Sequence, residues 1–222
     1  MGLNMAKNLQ KHLTSIGAPP LNFTNRTLSR GVTLVELGGV PCATIAEVIS
    51  KSNIIFSSVG GKILDSKNKL TTSQISDDSV LDSIVSEMLA CSLADKIVVD
   101  TSTVHPDTSV RASKILTEAG ATFAAGRCIH VSRRYGWLTE IAPVFGASPV
   151  AEAGQLLFVV AGPSAATEAI APYLKGVMGR EVINLGEDVS KASLMKTSGY
   201  VILSHINTGL SVYHEATSLL RR

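Results

Sequence analysis

A run of hydroxyl side chains, Thr101-Ser102-Thr103, follows Asp100 and stands just ahead of Pro106. The segment before it, Lys96–Thr101, is aliphatic and β-branched and predicts a buried strand. Such a strand delivers hydroxyls to the carboxyl end of a sheet, where ligands bind in open α/β folds. The plainer use of the same residues is a helix N-cap, with Thr103 or Asp107 capping a helix that starts at Pro106. A cap alone does not need adjacent hydroxyls. A second group, Asn25-Arg26-Thr27, closes the short run Leu21–Asn25. An acidic residue at such a strand end binds a ribose 2′-hydroxyl, whereas uncharged Asn25 followed by Arg26 suits a 2′-phosphate held by charge-assisted hydrogen bonds. The plainer reading is a solvated arginine. Lys191 and Lys196 fall in one helical pattern, where a lysine is ordinarily a surface residue. His12, His105, His130, His205 and His214 show no ligand spacing and read as structural or exposed. Cys42, Cys91 and Cys128 form no C-x-x-C pair, so neither a zinc site nor a secreted disulfide framework is expected.

The elements that must position these groups alternate along the chain. Strands are expected at Leu21–Asn25, Thr33–Leu37, Asn53–Val59, Lys96–Thr101, Ala121–Ala125, Leu156–Ala161 and Glu181–Leu185. Helices are expected at Ala43–Lys51, Asp78–Leu93, Pro106–Ala119 and Ser164–Met178. Met1, Met5, Leu9 and Leu13 recur every four residues, so the chain opens in an amphipathic helix, and a second long helical pattern begins at Asp188. Alternation of this kind predicts an α/β fold with a mostly parallel sheet and helices on both faces. Hydrophobic residues make up 45% of the 222, charged residues 17% and aromatics 5%, a bias that suits strands buried on both faces. A net charge of +2 without a basic stripe does not point to nucleic acid. No apolar run reaches the roughly 20 residues of a membrane span, and Met1–Leu13 lacks the features of a signal peptide. The expectation is an intracellular, cytoplasmic protein, with a mitochondrial location left open.

Four stretches carry a resemblance to the β-hydroxyacid dehydrogenases, the family of 3-hydroxyisobutyrate and 6-phosphogluconate dehydrogenases. Gly2-Leu3-Asn4-Met5-Ala6-Lys7-Asn8-Leu9 resembles the end of the family's dinucleotide fingerprint, with Gly2 as its last glycine. Asp100 to Pro106 resembles the D-x-S-T-x-x-P element. Ala142-Pro143-Val144-Phe145-Gly146 is similar to A-P-V-S-G-G, with Phe145 in place of the serine and Ala147 in place of the second glycine. Gly186 through Lys196 resembles the helix that carries the family's catalytic lysine, with Tyr200 where the family has asparagine. The resemblance implies an NADP-dependent oxidoreductase, NAD being the less expected cofactor. It moves hydride between nicotinamide and a small hydroxy acid or related carbonyl compound. It further implies cofactor contacts from Gly2, Leu3, Asn25, Arg26, Thr27, Val59, Gly60 and Thr103. Ser102, Phe145, Gly146 and Tyr200 would contact substrate, Lys196 would handle the proton, and no metal takes part. A lysine serves in this way at neutral pH when burial lowers its pKa.

Against the family pattern, the chain is expected to be truncated at both ends. A Rossmann-type sheet would lack its first strand, leaving a gap between Leu21–Asn25 and Asn53–Val59. The dinucleotide domain would span residues 1–185, and residues 186–222 would begin an all-α second domain. About sixteen residues, Gly126–Ile141, interrupt the resemblance and are expected as a dispensable surface loop: either a lid for an anionic substrate or, as the preferred reading, translated intron. The family's homodimer is expected for an intact protein and is doubtful for a truncated one. Two alternatives stay open: a non-catalytic NADP-binding module, and an inactive fragment from a misannotated gene.

Overall fold

The structure is a computed structural model that describes residues 1–59, 78–135, 138–142 and 148–196, with backbone alone for 127–135, 138–142 and 148. The opening four-residue periodicity forms α1 (Gly2–Ser15), which buries Met5 and Leu9. Gln10 is buried on the same helix and accepts a hydrogen bond from the Leu21 amide at 2.8 Å. That bond ties α1 to the start of β1 (Asn22–Phe23), which is shorter than Leu21–Asn25. Thr33–Leu37, expected as a strand, is instead α2 (Val32–Glu36). Its β-branched residues favour a strand locally, but the side chains that turn inward are Leu34 and Leu37, three apart, a helical spacing. Gly38, at φ +95, then lets the Gly39 amide reach back to the Leu34 carbonyl at 2.9 Å and close the helix. The chain leaves through β2 (Val40–Pro41), which the sequence did not suggest and which pairs parallel with β1. Thr44 accepts from the Glu47 amide and Glu47 from the Ala43 amide, a reciprocal cap for α3 (Ile45–Lys51).

The main sheet begins with β3 (Ile54–Ser57). After α4 (Asp78–Met88), β4 (Ile97–Asp100) pairs parallel with β3. After α5 (Pro106–Glu118), β5 (Thr122–Tyr135) pairs parallel with β4. β5 and β6 (Leu138–Ala142) correct the expectation for Gly126–Ile141. Most of that segment is strand: β5 runs on through it, pairing antiparallel first with β7 (Leu156–Ala161) and then with β6. Backbone pairing to a neighbouring strand satisfies those amides without the apolar alternation that marks a half-buried strand in sequence. α6 (Ser148–Glu152) precedes β7, and α7 (Ser164–Leu174) leads to β8 (Gly179–Asn184), parallel to β7. The order is β3-β4-β5-β7-β8 with β6 on β5, while β1 and β2 form a separate two-stranded sheet, so β1 and β3 are not paired.

Strand alternation builds two cores on the two faces of the main sheet. Val98, Phe123 and Val159 join Leu81, Val85 and Met88 of α4 and Ala112 and Leu116 of α5. Their chain neighbours Val99, Ala124 and Phe158 point the other way, onto Met5 and Leu9 of α1 and Ile170 and Leu174 of α7. This is the doubly wound α/β arrangement. Residues 190–196 are helical, and Val189 and Ala192 belong to the core that holds α5. Among the described residues no helix is long and apolar enough to cross a membrane.

Asp188 starts that last helix: its Oδ1 accepts the Ser190 hydroxyl at 2.6 Å and the Ser190 amide at 3.0 Å. The hydroxyl first, and then the amide, hold its carboxyl below the usual range. Because the folded-state pKa is the lower one, this contribution to stability is complete above the unfolded-state pKa. It is lost as pH falls through the folded-state pKa. The Ser190 amide resonance should therefore titrate with a midpoint below the ordinary aspartate value of about 4. A midpoint at the ordinary value, or no titration at all, would contradict this cap.

Candidate functional site

Ser57 and Asp100 end β3 and β4 opposite one another. Both are buried, Asp100 fully, and the Ser57 hydroxyl donates to Asp100 Oδ1 at 2.8 Å. The same oxygen accepts the Ser102 hydroxyl at 2.6 Å and the Ser102 amide at 3.2 Å. Ser102 Oγ in turn accepts the Val59 amide at 2.9 Å. Thr101 adds two bonds to the Ser57 carbonyl, from its amide at 2.8 Å and its hydroxyl at 2.7 Å. The ends of the two strands are thus laced together by short polar side chains, and charge assistance from the carboxylate makes the lacing strong.

α1 starts beside this lacing. A Cβ placed on Gly2 would stand 3.0 Å from Ser58 Oγ, so only a glycine, or a very small shift, allows the helix to open so near the end of β3. Met1 at the start of the helix makes no side-chain cap hydrogen bond. Leu3 is exposed next to it.

The helix at 190–196 carries Lys196. Ser109 of α5 and Ser193 are both buried, and their hydroxyl oxygens lie 2.8 Å apart. Three residues beyond Ser193, one turn along the helix, Lys196 is only 7% exposed, whereas Lys191 is exposed. The two lysines thus face differently on one helix.

Among the expected site residues, Ser102 and Val59 are brought into direct contact and Gly2 lies beside them. Thr103 is half-buried at the same strand end and makes no hydrogen bond among the described residues. It does not cap α5, and Asp107 is not the cap either: His105 is, its Nδ1 accepting the Asp107 amide at 3.3 Å. Asn25, Arg26 and Thr27 are exposed after β1, on the other sheet, where Asn25 Nδ2 donates to the Thr27 carbonyl at 3.3 Å. Arg26 makes no ion pair among the described residues. Gly60, Phe145, Gly146 and Tyr200 lie outside the described residues. The sequence does not single out Ser57, Ser109 or Ser193, and it marks Asp100 only as the first residue of the D-x-S-T-x-x-P element, without a role. Ser57 and Asp100 each end an aliphatic run, and that placement is the signal that could have found them.

A separate cleft of about 410 Å³ is lined by Asn8, Lys11, His12, Glu152 and Arg180 among others, and includes none of the residues just described. Among the described residues no group of three His, Cys, Asp or Glu could hold a metal ion.

Comparison with known proteins now gives this geometry a family. The family described as the NAD binding domain of 6-phosphogluconate dehydrogenase matches residues 1–126. Glyoxylate/succinic semialdehyde reductase 1 of Arabidopsis thaliana is 28% identical over 214 residues, covering 95% of this chain and 61% of the relative. The NADH-dependent oxidoreductase ucdB of Aspergillus ustus is 26% identical over 211 residues, covering 94% and 59%. The solved structure of Mycobacterium tuberculosis 3-hydroxyisobutyrate dehydrogenase with L-serine superposes with a TM-score of 0.74 at 15% identity, over 99% of this chain and 62% of that one. The chain thus spans about three fifths of the length of these proteins. With an NAD(P)-type fingerprint helix, a doubly wound sheet and a family match over more than half its length, the chain belongs to the family of the 6-phosphogluconate dehydrogenase NAD-binding domain.

Proposed function

We propose that this chain carries the dinucleotide-binding part of an NADP-dependent β-hydroxyacid-type dehydrogenase or reductase, acting on a small hydroxy acid or its carbonyl counterpart. The observation that carries the proposal is the opening of α1 beside the ends of β3 and β4, where Ser102 is laced by Asp100. The burial of Lys196, one turn beyond the Ser193 that touches Ser109 of α5, supports it.

Each group suits the part assigned to it. Backbone N–H groups at Gly2 and Leu3, at a helix N-terminus, favour a pyrophosphate. Arg26, exposed and without an ion pair among the described residues, is available to a 2′-phosphate, with Asn25 and Thr27 beside it. Val59, Gly60 and Thr103 are assigned to the nicotinamide end. Ser102, Phe145, Gly146 and Tyr200 are assigned to the substrate, with residues beyond 185 as the start of a second domain. A bound nicotinamide supplies the hydride in reduction and takes it up in oxidation. Lys196 supplies the proton to the substrate oxygen as a carbonyl becomes a hydroxyl, and removes it in the reverse direction, so charge and atoms balance. Packing of Val189 and Ala192 on the core and the Ser109–Ser193 contact hold the lysine helix in place for that step.

Two measurements test the assignment. Arg26→Ala should raise the dissociation constant for NADPH by about tenfold or more, the scale of losing a hydrogen bond to a charged group, while NADH binding changes little. Equal losses for both cofactors would sink the preference for NADP. In an active protein that contains the chain, Lys196→Ala should lower turnover by roughly 10²–10⁴-fold and leave NADPH affinity close to that of the parent, with Lys191→Ala as a silent control. Turnover that survives the first change removes Lys196 from the chemistry.

A further inference from the structure

We propose that Asp100 is a positioning residue that couples the cofactor side of the site to its substrate side, an inference that rests on the assignment of Val59 and Ser102 given above. The hydrogen bonds at the strand ends form a closed ring. Ser57 Oγ donates to Asp100 Oδ1 at 2.8 Å, Ser102 Oγ donates to the same oxygen at 2.6 Å, and the Val59 amide donates to Ser102 Oγ at 2.9 Å. The chain from Ser57 through Ser58 to Val59 completes the circuit. Inside it sits Ser58, the residue whose hydroxyl approaches Gly2 at the opening of α1. One carboxylate oxygen therefore sets two things. It orients the Ser102 hydroxyl by taking its single proton, and through Ser102 it fixes the backbone that turns away from β3 beneath the helix N-terminus.

The charge matters as well as the shape. Oδ1 receives two hydroxyl protons and one amide proton, the last from Ser102 at 3.2 Å. A neutral amide oxygen accepts such a set less strongly than a carboxylate. Asp100 is fully buried and Ser102 nearly so, so water does not replace what a weaker acceptor fails to hold. Asp100→Asn keeps the volume and an oxygen while removing the charge, so the ring should loosen without a cavity.

Backbone amide exchange in the whole chain reads this directly. In Asp100→Asn and in Ser102→Ala, exchange at Val59 should accelerate by roughly tenfold or more, as expected for local opening after loss of a charge-assisted bond. The Val98 and Phe123 amides, in the middle of β4 and β5, should keep their parent rates. Ser57→Ala removes one donor from the acceptor and should disturb Val59 less than either. An unchanged Val59 rate in Asp100→Asn overturns the proposal, and so does equal acceleration at Val98 and Phe123, which would make Asp100 merely structural. Should Asp100→Asn fail to fold, the unmodified chain decides. Its Ser102 hydroxyl proton should be visible, slow to exchange and close to the Val59 amide proton, and a rapidly exchanging hydroxyl there overturns the proposal. A parallel titration with NADPH separates this inference from the functional one. Asp100→Asn should weaken NADPH binding roughly tenfold; unaltered affinity overturns the coupling. A parent chain that fails to bind NADPH instead defeats the functional reading and leaves the exchange pattern to judge the ring.

Discussion

Parallel strands that end side by side leave their last residues in a crowded place, where backbone amides no longer have a ladder partner and where an open α/β fold receives its ligand. In this chain the conflict is met by one buried carboxylate. Asp100 gathers Ser57 and Ser102, and Ser102 gathers the Val59 amide. The bonds close only because β3 and β4 are in register, with Ser57 opposite Asp100. That register is set in turn by the alternation that sends Val98 to one core and Val99 to the other. A one-residue slip would move Asp100 to the opposite face and break the site and both cores together. Fold and site therefore share one determinant.

The position of Lys196, the proposed proton donor, depends on packing. The helix at 190–196 has no strand to hold it; Val189 and Ala192 anchor it in the core shared with α5, and the buried Ser109–Ser193 contact fixes its rotation. Lys196 follows one turn later and is buried, while Lys191 faces solvent. Replacing Ala192 by a large residue would push this helix off α5 and move the lysine with it. The Asp188 cap contributes at the exposed end, where screening by solvent keeps its share small.

Much of this was legible in the sequence, and the misses have physical causes. Leu156–Ala161 reads as a strand because its run of aliphatic residues is buried on both faces, and its bounds in the structure are the same. Pro106 marks the start of α5, since proline at the first helical position loses no intrahelical bond. His105 caps α5 although imidazole is an uncommon acceptor at that position. Thr33–Leu37 reads as a strand from its β-branched residues, but the Gly38-Gly39 pair that follows closes a helix. Gly126–Ile141 misled because pairing with β7 and β6 depends on backbone partners distant in sequence, which local patterning does not reveal. At the site, motif resemblance singled out Ser102 and Lys196 but not Ser57, whose hydroxyl matters only once β3 lies beside β4.

The central proposal is that a nicotinamide dinucleotide binds at the start of α1 and the laced ends of β3 and β4. Titrating the isotopically labelled chain with NADPH while following its backbone amide resonances tests it most directly. Saturable shifts should concentrate at Gly2 to Asn4, Asn25 to Thr27, Ser58 and Val59, and Thr101 to Thr103. Shifts confined to the cleft around Asn8, Lys11 and Arg180, or no saturable shifts at all, would contradict the account.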